Sequence, residues 1–182
     1  MIWFTADWHL QHKNIIKFNG RPFQSVEEMD NVIIDNFLSS VIKGDHVYFL
    51  GDFSFNRTKT REVLEYIKIK KHIQWHFILG NHDSKVANIL KDLSADSITN
   101  MRDIKIQDIP ITLCHYKMTV WNKSHFNAWQ LYGHSHGSLY PTGKQLDVGV
   151  DTNNFYPYSF EEVKKIMDAS PDNFNLVKER KY

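Results

Sequence analysis

The sequence predicts an α/β layered domain, built on one mixed sheet or on a pair of packed sheets. Three observations lead there. Apolar runs of strand length recur along the chain, helix-patterned stretches separate the early runs, and the second half is rich in strands. The runs are "MIWFTA" (1–6), "HVYFLG" (46–51), "IQWHFILG" (73–80), "IPITLCHY" (109–116), "AWQLYG" (128–133) and "QLDVGVD" (145–151). They are near-continuously apolar and rich in β-branched and aromatic residues, the pattern of strands buried on both faces. "SVEEMDNVIIDNFLSSVI" (25–42) predicts the first helix. Its Val26, Met29, Ile33, Phe37 and Val41 keep the helical period, and Ser25 with Glu28 reads as a capping box. "TREVLEYIKI" (60–69) and "SKVANILKDL" (84–93) predict two more helices, and "SFEEVKKIMDA" (159–169) a fourth, opened by the box Ser159 and Glu162.

The totals fit one globular domain over residues 1–182, long enough for a substantial core. There is no internal repeat, low-complexity tract or Gly/Ser linker. No apolar run approaches the roughly 18 residues of a membrane span. "MIWFTADWH" lacks the basic n-region of a signal peptide, so a cytoplasmic protein is expected. The single cysteine, Cys114, excludes an internal disulfide framework and suits a reducing compartment. A net charge of +1 gives no global footprint for long nucleic acid, although it leaves room for a local basic patch.

Ten histidines are many for 182 residues, and their placement matters more than their number. Almost every apolar run ends in acid, amide or imidazole: Asp7-Trp8-His9, Gly51-Asp52, Gly80-Asn81-His82-Asp83, Cys114-His115 and Gly133-His134-Ser135-His136. In "LYGHSHG" (131–137), extended backbone would turn His134 and His136 to one face. Ligands of open α/β sheets bind beyond the carboxyl ends of the strands, so these five run ends predict a metal site. Without a thiolate cluster, a structural zinc site of the cysteine type is excluded. Imidazole mixed with carboxylate and amide oxygen suits Mn, Fe, Zn, Ni or Co. Seven candidate ligands, Asp7, His9, Asp52, Asn81, His115, His134 and His136, are too many for one ion and suit two that share a carboxylate. Two divalent ions carry four positive charges, and Asp7, Asp52 and a bridging hydroxide offset three. The centre would stay cationic, as an anionic phosphate substrate requires.

These residues resemble the calcineurin-like metallophosphoesterase family, whose five signature blocks appear here in order as "DWH", "GDF", "GNHD", "CHY" and "GHSHG". The resemblance spans roughly residues 1–151, and the chain also looks like the small prokaryotic or phage-type members without a cap domain. It implies a four-layer α/β/β/α sandwich of two mixed sheets flanked by helices. It also implies one metal on Asp7, His9 and His136, another on Asn81, His115 and His134, and Asp52 between them. Manganese is the first expectation for both. His82 would be the general acid, protonating the leaving oxygen while a bridging hydroxide attacks in line. One departure stands out: "GDFSFNR" lacks the further Asp that orients the catalytic histidine in many members. Asp83 is a candidate for that task only through its nearness in sequence, and as the opening residue of a helical pattern it reads better as an N-cap.

Other residues carry weaker signals. "HKNIIKFNGRPF" (12–23) follows the first block. It reads either as a substrate loop, with Asn14 and Arg21 meeting phosphate and an aromatic stacking on a base, or as a lead-in to the first helix with Phe23 as hydrophobic staple. His12 lines the pocket or sits in a solvated loop. Trp121 and Trp129 read as packing residues, and Cys114 as a small buried hydrophobe. The expected activity is hydrolysis of phosphodiesters or phosphomonoesters, with a small nucleotide-type substrate favoured by size and charge. A metal-dependent nuclease, which would need a basic groove, is one alternative. A non-catalytic interaction module is the other, though such members lose ligands and all eight positions are filled here.

Overall fold

The computed structural model describes residues 1–93 and 95–177. In chain order it contains β1 (Ile2–Thr5), α1 (Lys13–Phe18), α2 (Val26–Ser40), β2 (His46–Phe49), α3 (Arg57–Lys71), β3 (Gln74–Ile78) and α4 (Ala87–Asp92). There follow β4 (Ser97–Thr99), β5 (Met101–Ile106), β6 (Ile109–Cys114), β7 (Trp129–Tyr132), β8 (Gln145–Asp147), β9 (Tyr158–Ser159) and α5 (Phe160–Ala169). Two mixed sheets flanked by helices result. The first has the order β4-β3-β2-β1-β9 and the second β5-β6-β7-β8. In the first, β1 to β4 run parallel and only β9 is antiparallel. In the second, β6, β7 and β8 are parallel and β5 returns antiparallel on β6.

Strand alternation explains the layers. Trp3, Val47, Phe49, Trp75 and Phe77 point to one face of the first sheet. There they pack with Ile33 and Phe37 of α2, Val63 and Ile67 of α3, and Leu90 of α4. Phe4, Tyr48, Leu50 and Ile78 point to the other face, against Ile111, Leu113, Trp129 and Leu131 of the second sheet. Phe160, Val163 and Met167 of α5 join this second core. The central strands of the first sheet are therefore apolar on both faces, as their unbroken runs required.

Several local expectations change. α3 begins at Arg57, three residues earlier than its period suggested, because Asn56 caps it through Oδ1, which accepts the Lys59 N–H at 3.0 Å. The pattern over 84–93 splits into a 3-10 turn (Asp83–Lys85) and α4. Ser25 caps α2 as expected, but Glu28 accepts from the Gln24 N–H at 2.7 Å, so the box closes one residue early. The box at Ser159 and Glu162 is complete. Part of the 12–23 stretch is helical, as α1. Cys114 is free and half-buried at the end of β6. β4, β5 and β9 lie outside the six anticipated runs, since β5 alternates exposed and half-buried positions and β9 has two residues.

Asp45 anchors the start of β2. Its carboxylate is buried and accepts the Trp3 indole N–H at 2.8 Å and the Ile42 backbone N–H at 3.0 Å, with the Met1 amino group also against it. Burial pushes its pKa up, but the hydrogen bonds from Ile42, Met1 and Trp3 outweigh burial and hold it below the ordinary value. A depressed carboxyl stabilises the fold above its unfolded pKa, and that contribution disappears as pH falls through the folded value. Asp45→Asn is expected to cost about 1.5–3 kcal/mol at pH 7, the range for hydrogen bonds to a charged group. The difference from wild type should narrow below pH 4. Urea unfolding at pH 7 and pH 3 checks this, and a gap that stays constant across pH would contradict it.

Candidate metal centre

The chemistry-bearing residues follow the carboxyl ends of parallel strands in both sheets. Asp7 and His9 follow β1, Asp52 follows β2, Asn81 and His82 follow β3, His115 follows β6, and His134 and His136 follow β7. The loops are zipped together by main-chain bonds. Asp7 N–H donates to Gly51 O at 2.9 Å, His9 N–H to Asp52 O at 3.0 Å, and Gly133 N–H to His115 O at 3.0 Å. Val150 N–H donates to Ala6 O at 3.1 Å, so the extension of β8 closes the seam between the sheets. This lattice holds an unusual backbone. Asp7, His9, Asp52, His134 and His136 all have positive φ, between 47° and 66°. Each such residue costs on the order of 1–3 kcal/mol and persists only where its surroundings over-determine it. The expectation of extended backbone at His134 and His136 is thus corrected. A left-handed turn carries them, and they part to different neighbours.

Two groups of side chains offer ligand atoms within 4.8 Å of one another: Asp7, His9 and His136, and Asp52, His115 and His134. Asp52 joins them. Its Oδ2 lies 3.5 Å from His9 Nε2 and 3.5 Å from His115 Nε2. Its other oxygen, Oδ1, accepts the His82 N–H at 3.0 Å. Asp7 is built alike: Oδ2 accepts the His134 N–H at 2.8 Å, while Oδ1 is buried with no hydrogen bond among the described residues, as are both ring nitrogens of His9. Asn81 Oδ1 stands 3.2 Å from His115 Nε2.

The donor set fits divalent cations. A buried polar atom without a partner costs about 1–3 kcal/mol, and Asp7 Oδ1 and His9 Nε2 are aimed into the same space. The imidazoles are also set in the right tautomer. His115 Nδ1–H donates to the Leu50 carbonyl at 2.6 Å, and His136 Nδ1–H to Asp151 Oδ2 at 2.7 Å. Each turns Nε2 toward the cluster as the nitrogen a cation would take once its proton is displaced, while the Nδ1 bond fixes the ring as metal-ligating histidines require. Burial lifts the Asp7 carboxyl to about 7 and pushes His9 down to about 2. Burial works against charge on His115 and Asp52 too, but they face each other, so His115 is raised and Asp52 lowered. A cation bound here would take the place of the protons this cluster holds.

The glycines of the signature blocks make room for this geometry. A Cβ on Gly80 would meet Asp52 Oδ1 and come within 2.7 Å of Asp52 N. Gly80→Ala is expected to push Asp52 aside and weaken metal binding by about 10–100-fold, the range for losing a supporting contact. Manganese titration by calorimetry measures this, and wild-type affinity in the variant would show that Asp52 has room to spare.

Two expectations meet other arrangements. Arg21 does not face the site opening. It is 4% exposed, pairs with both Asp151 oxygens at 2.7 Å, and donates to the carbonyls of Asp7 at 2.7 Å and Trp8 at 3.0 Å. Its charge is spent on fastening the Asp7 loop, so a phosphate contact is ruled out by burial. Asp83 neither caps its turn nor touches the His82 ring. Its buried carboxylate accepts from the N–H groups of Asp52 (2.8 Å), Phe53 (3.0 Å) and Gly80 (2.8 Å), tying two loops of the centre together. Asn14 lies on the exposed side of α1. His82 has its side chain 43% exposed, its Nε2 4.0 Å from Asp52 Oδ2, and its ring packed on Phe55 at 4.6 Å. Where "GDFSFNR" lacks a further Asp, the Phe55 ring packs against His82. His12 also stacks on Phe55, at 3.9 Å. Trp121 and Trp129 are buried, as packing residues.

Asp151 was not anticipated from the sequence as a functional residue. Held near pKa 2, because His136 and Arg21 outweigh the effect of burial, it orients a candidate ligand from 15 positions away. Its only sequence signal was its place as the final residue of the last apolar run.

Comparison with known proteins agrees with this geometry. Residues 1–167 match the model of the calcineurin-like phosphoesterase family, and the chain belongs to that family. An uncharacterized protein of Methanocaldococcus jannaschii is 29% identical over 174 residues, which cover 92% of this chain and 91% of that protein. The gene 66 protein of Mycobacterium phage L5 is 37% identical over 82 residues, 44% of this chain and 39% of that one. Among solved structures, a protein of unknown function from Aquifex aeolicus superposes with a TM-score of 0.72 at 26% identity, covering 91% of this chain and 98% of that one. An archaeal phosphodiesterase shares the fold alone, with a TM-score of 0.50 at 19% identity over 81% of this chain and 82% of that one. Family membership makes the chain a phosphoester hydrolase with candidate ligand groups for divalent metals.

Proposed function

We propose that this protein is a dinuclear phosphoesterase that hydrolyses phosphodiesters or phosphomonoesters of small nucleotide type, with His82 as general acid. The observation that carries this reading is Asp52 Oδ2, 3.5 Å from a histidine of each ligand group. Asp7, His9 and His136 would hold one cation and Asn81, His115 and His134 the other, with Asp52 shared. A divalent pair, when bound, supplies Lewis-acid charge for the phosphoryl oxygens and acidifies a water at neutral pH.

The chain's own residues do the remaining work. Asp52 and Asp7 each keep one oxygen on a backbone N–H and aim the other inward, so neither swings when substrate arrives. Leu50 O and Asp151 fix the rings of His115 and His136. The His82 ring, exposed at the edge of the cluster, carries a proton to the departing oxygen. A cytoplasmic setting is part of the proposal: Cys114 is free, and no helix among the described residues is long and apolar enough to cross a membrane.

The test is a panel of purified protein loaded with Mn, Fe, Ni, Zn or Co against p-nitrophenyl phosphate, bis-p-nitrophenyl phosphate and a nucleotide set. Manganese-dependent turnover of at least one class is expected. Failure with every metal and substrate would replace the enzyme with a non-catalytic module. Activity confined to DNA or RNA would replace it with a nuclease.

A further inference from the structure

Beside His82 lies a cavity of about 140 Å³. Phe55, Asn81, His82 and Ser84 line it together with Arg57 and Lys85. Arg57 opens α3 and Lys85 ends the turn after β3, so two cations from separate elements line one small space. Both are exposed, and neither forms an ion pair among the described residues. Two uncommitted cations sharing a cavity wall with Ser84 form a receptor for an oxyanion. The Phe55 ring, 41% exposed, adds an aromatic face at the rim.

We infer that this cavity binds a second phosphate on the leaving group of the substrate, so that the enzyme prefers phosphoesters whose departing alcohol itself carries a phosphate. This rests on the reading of His82 as the group that meets the leaving oxygen. An alcohol departing past His82 enters the space that Arg57 and Lys85 line. Two sources share this chemistry: a nucleoside bisphosphate, and the terminus of a nucleic acid strand, whose next linkage is also a phosphate. Arg57 and Lys85 lie outside both ligand groups.

The test has a binding arm and a turnover arm. In the first, thymidine 3′-monophosphate and thymidine are titrated into metal-free protein, with wild type compared to Arg57→Gln and Lys85→Gln. The nucleotide is expected to bind while the nucleoside does not, and each variant should weaken binding about tenfold or more, with salt weakening it in wild type. In the second, manganese-loaded protein is given thymidine 3′,5′-bisphosphate, thymidine 5′-monophosphate and the 5′-phosphorylated dinucleotide. The ratio of kcat/KM for bisphosphate over monophosphate should be tenfold or more, through KM, and fall toward one in both variants. Preference for the bisphosphate over the dinucleotide identifies a free nucleotide as the source, and the reverse identifies a strand end. Equal binding of nucleotide and nucleoside, or variants that bind as wild type does, overturns the inference whatever the turnover. Charge-dependent binding with no hydrolysis of any ester leaves the oxyanion site standing and overturns the phosphoesterase reading instead.

Discussion

Asp52→Asn is expected to lower both metal affinity and turnover by more than about 100-fold, since removing even an outer-shell partner of a metal ligand costs about 10–100-fold. Asparagine keeps the size of the side chain and an oxygen for the His82 N–H, so the loop should hold its shape. What it removes is the charge on the oxygen that stands 3.5 Å from both His9 Nε2 and His115 Nε2. Each ligand group would then have lost its shared anion. The first would keep Asp7, while the second would be left with neutral donors only. Elemental analysis after dialysis should show the second group emptied before the first. A variant that retained two ions per chain and most of its activity would mean that Asp52 is one ligand among several. Asp7→Asn is the matched control, because Asp7 belongs to a single group.

The same Asp52 shows what the sequence could reveal. It was legible because a buried strand ends in Gly-Asp, and strands buried on both faces announce themselves by unbroken apolar runs such as 46–51. The elements that place the site were therefore the easy ones. β5 was harder, since an edge strand with one half-exposed face dilutes its apolar pattern, and β9 is too short to carry one. α1 is a six-residue helix whose first residue follows a histidine with no capping bond.

Within the site, the ligand types were readable and the supporting contacts were not. Arg21 looked like a phosphate contact because a basic residue beside a metal block often is one. Its true partner, Asp151, lies 130 positions away, and only the fold brings them together. Asp83 shows a similar limit. Acid at the start of a helical pattern reads as a cap, yet here the carboxylate takes three N–H groups from two converging loops. The left-handed backbone at Asp7, His9, Asp52, His134 and His136 leaves no mark in residue type beyond the tolerance of Asp and His for that region. Strain of this kind is held by tertiary contacts, so it appears only with them.

His82→Ala is expected to lower kcat by about 10²–10⁴-fold, the usual contribution of a general acid, while metal content stays near wild type. The ring is 43% exposed and belongs to neither ligand group, so its loss should disturb neither the fold nor the cluster. The effect should depend on the leaving group. An alkoxide needs the proton as the bond to phosphorus breaks, whereas p-nitrophenolate departs without one. Nucleoside phosphates should therefore suffer the full loss and p-nitrophenyl esters only a small part of it. Phe55→Leu keeps an apolar neighbour but removes the ring on which His82 packs, and should show the same selectivity at smaller amplitude. Equal losses on both kinds of ester would point to substrate positioning rather than proton delivery. Loss of the metals themselves would make His82 a ligand, and the proton would have to come from elsewhere in the site, with His12, 5.5 Å from the His9 ring and stacked on Phe55, the next group to test.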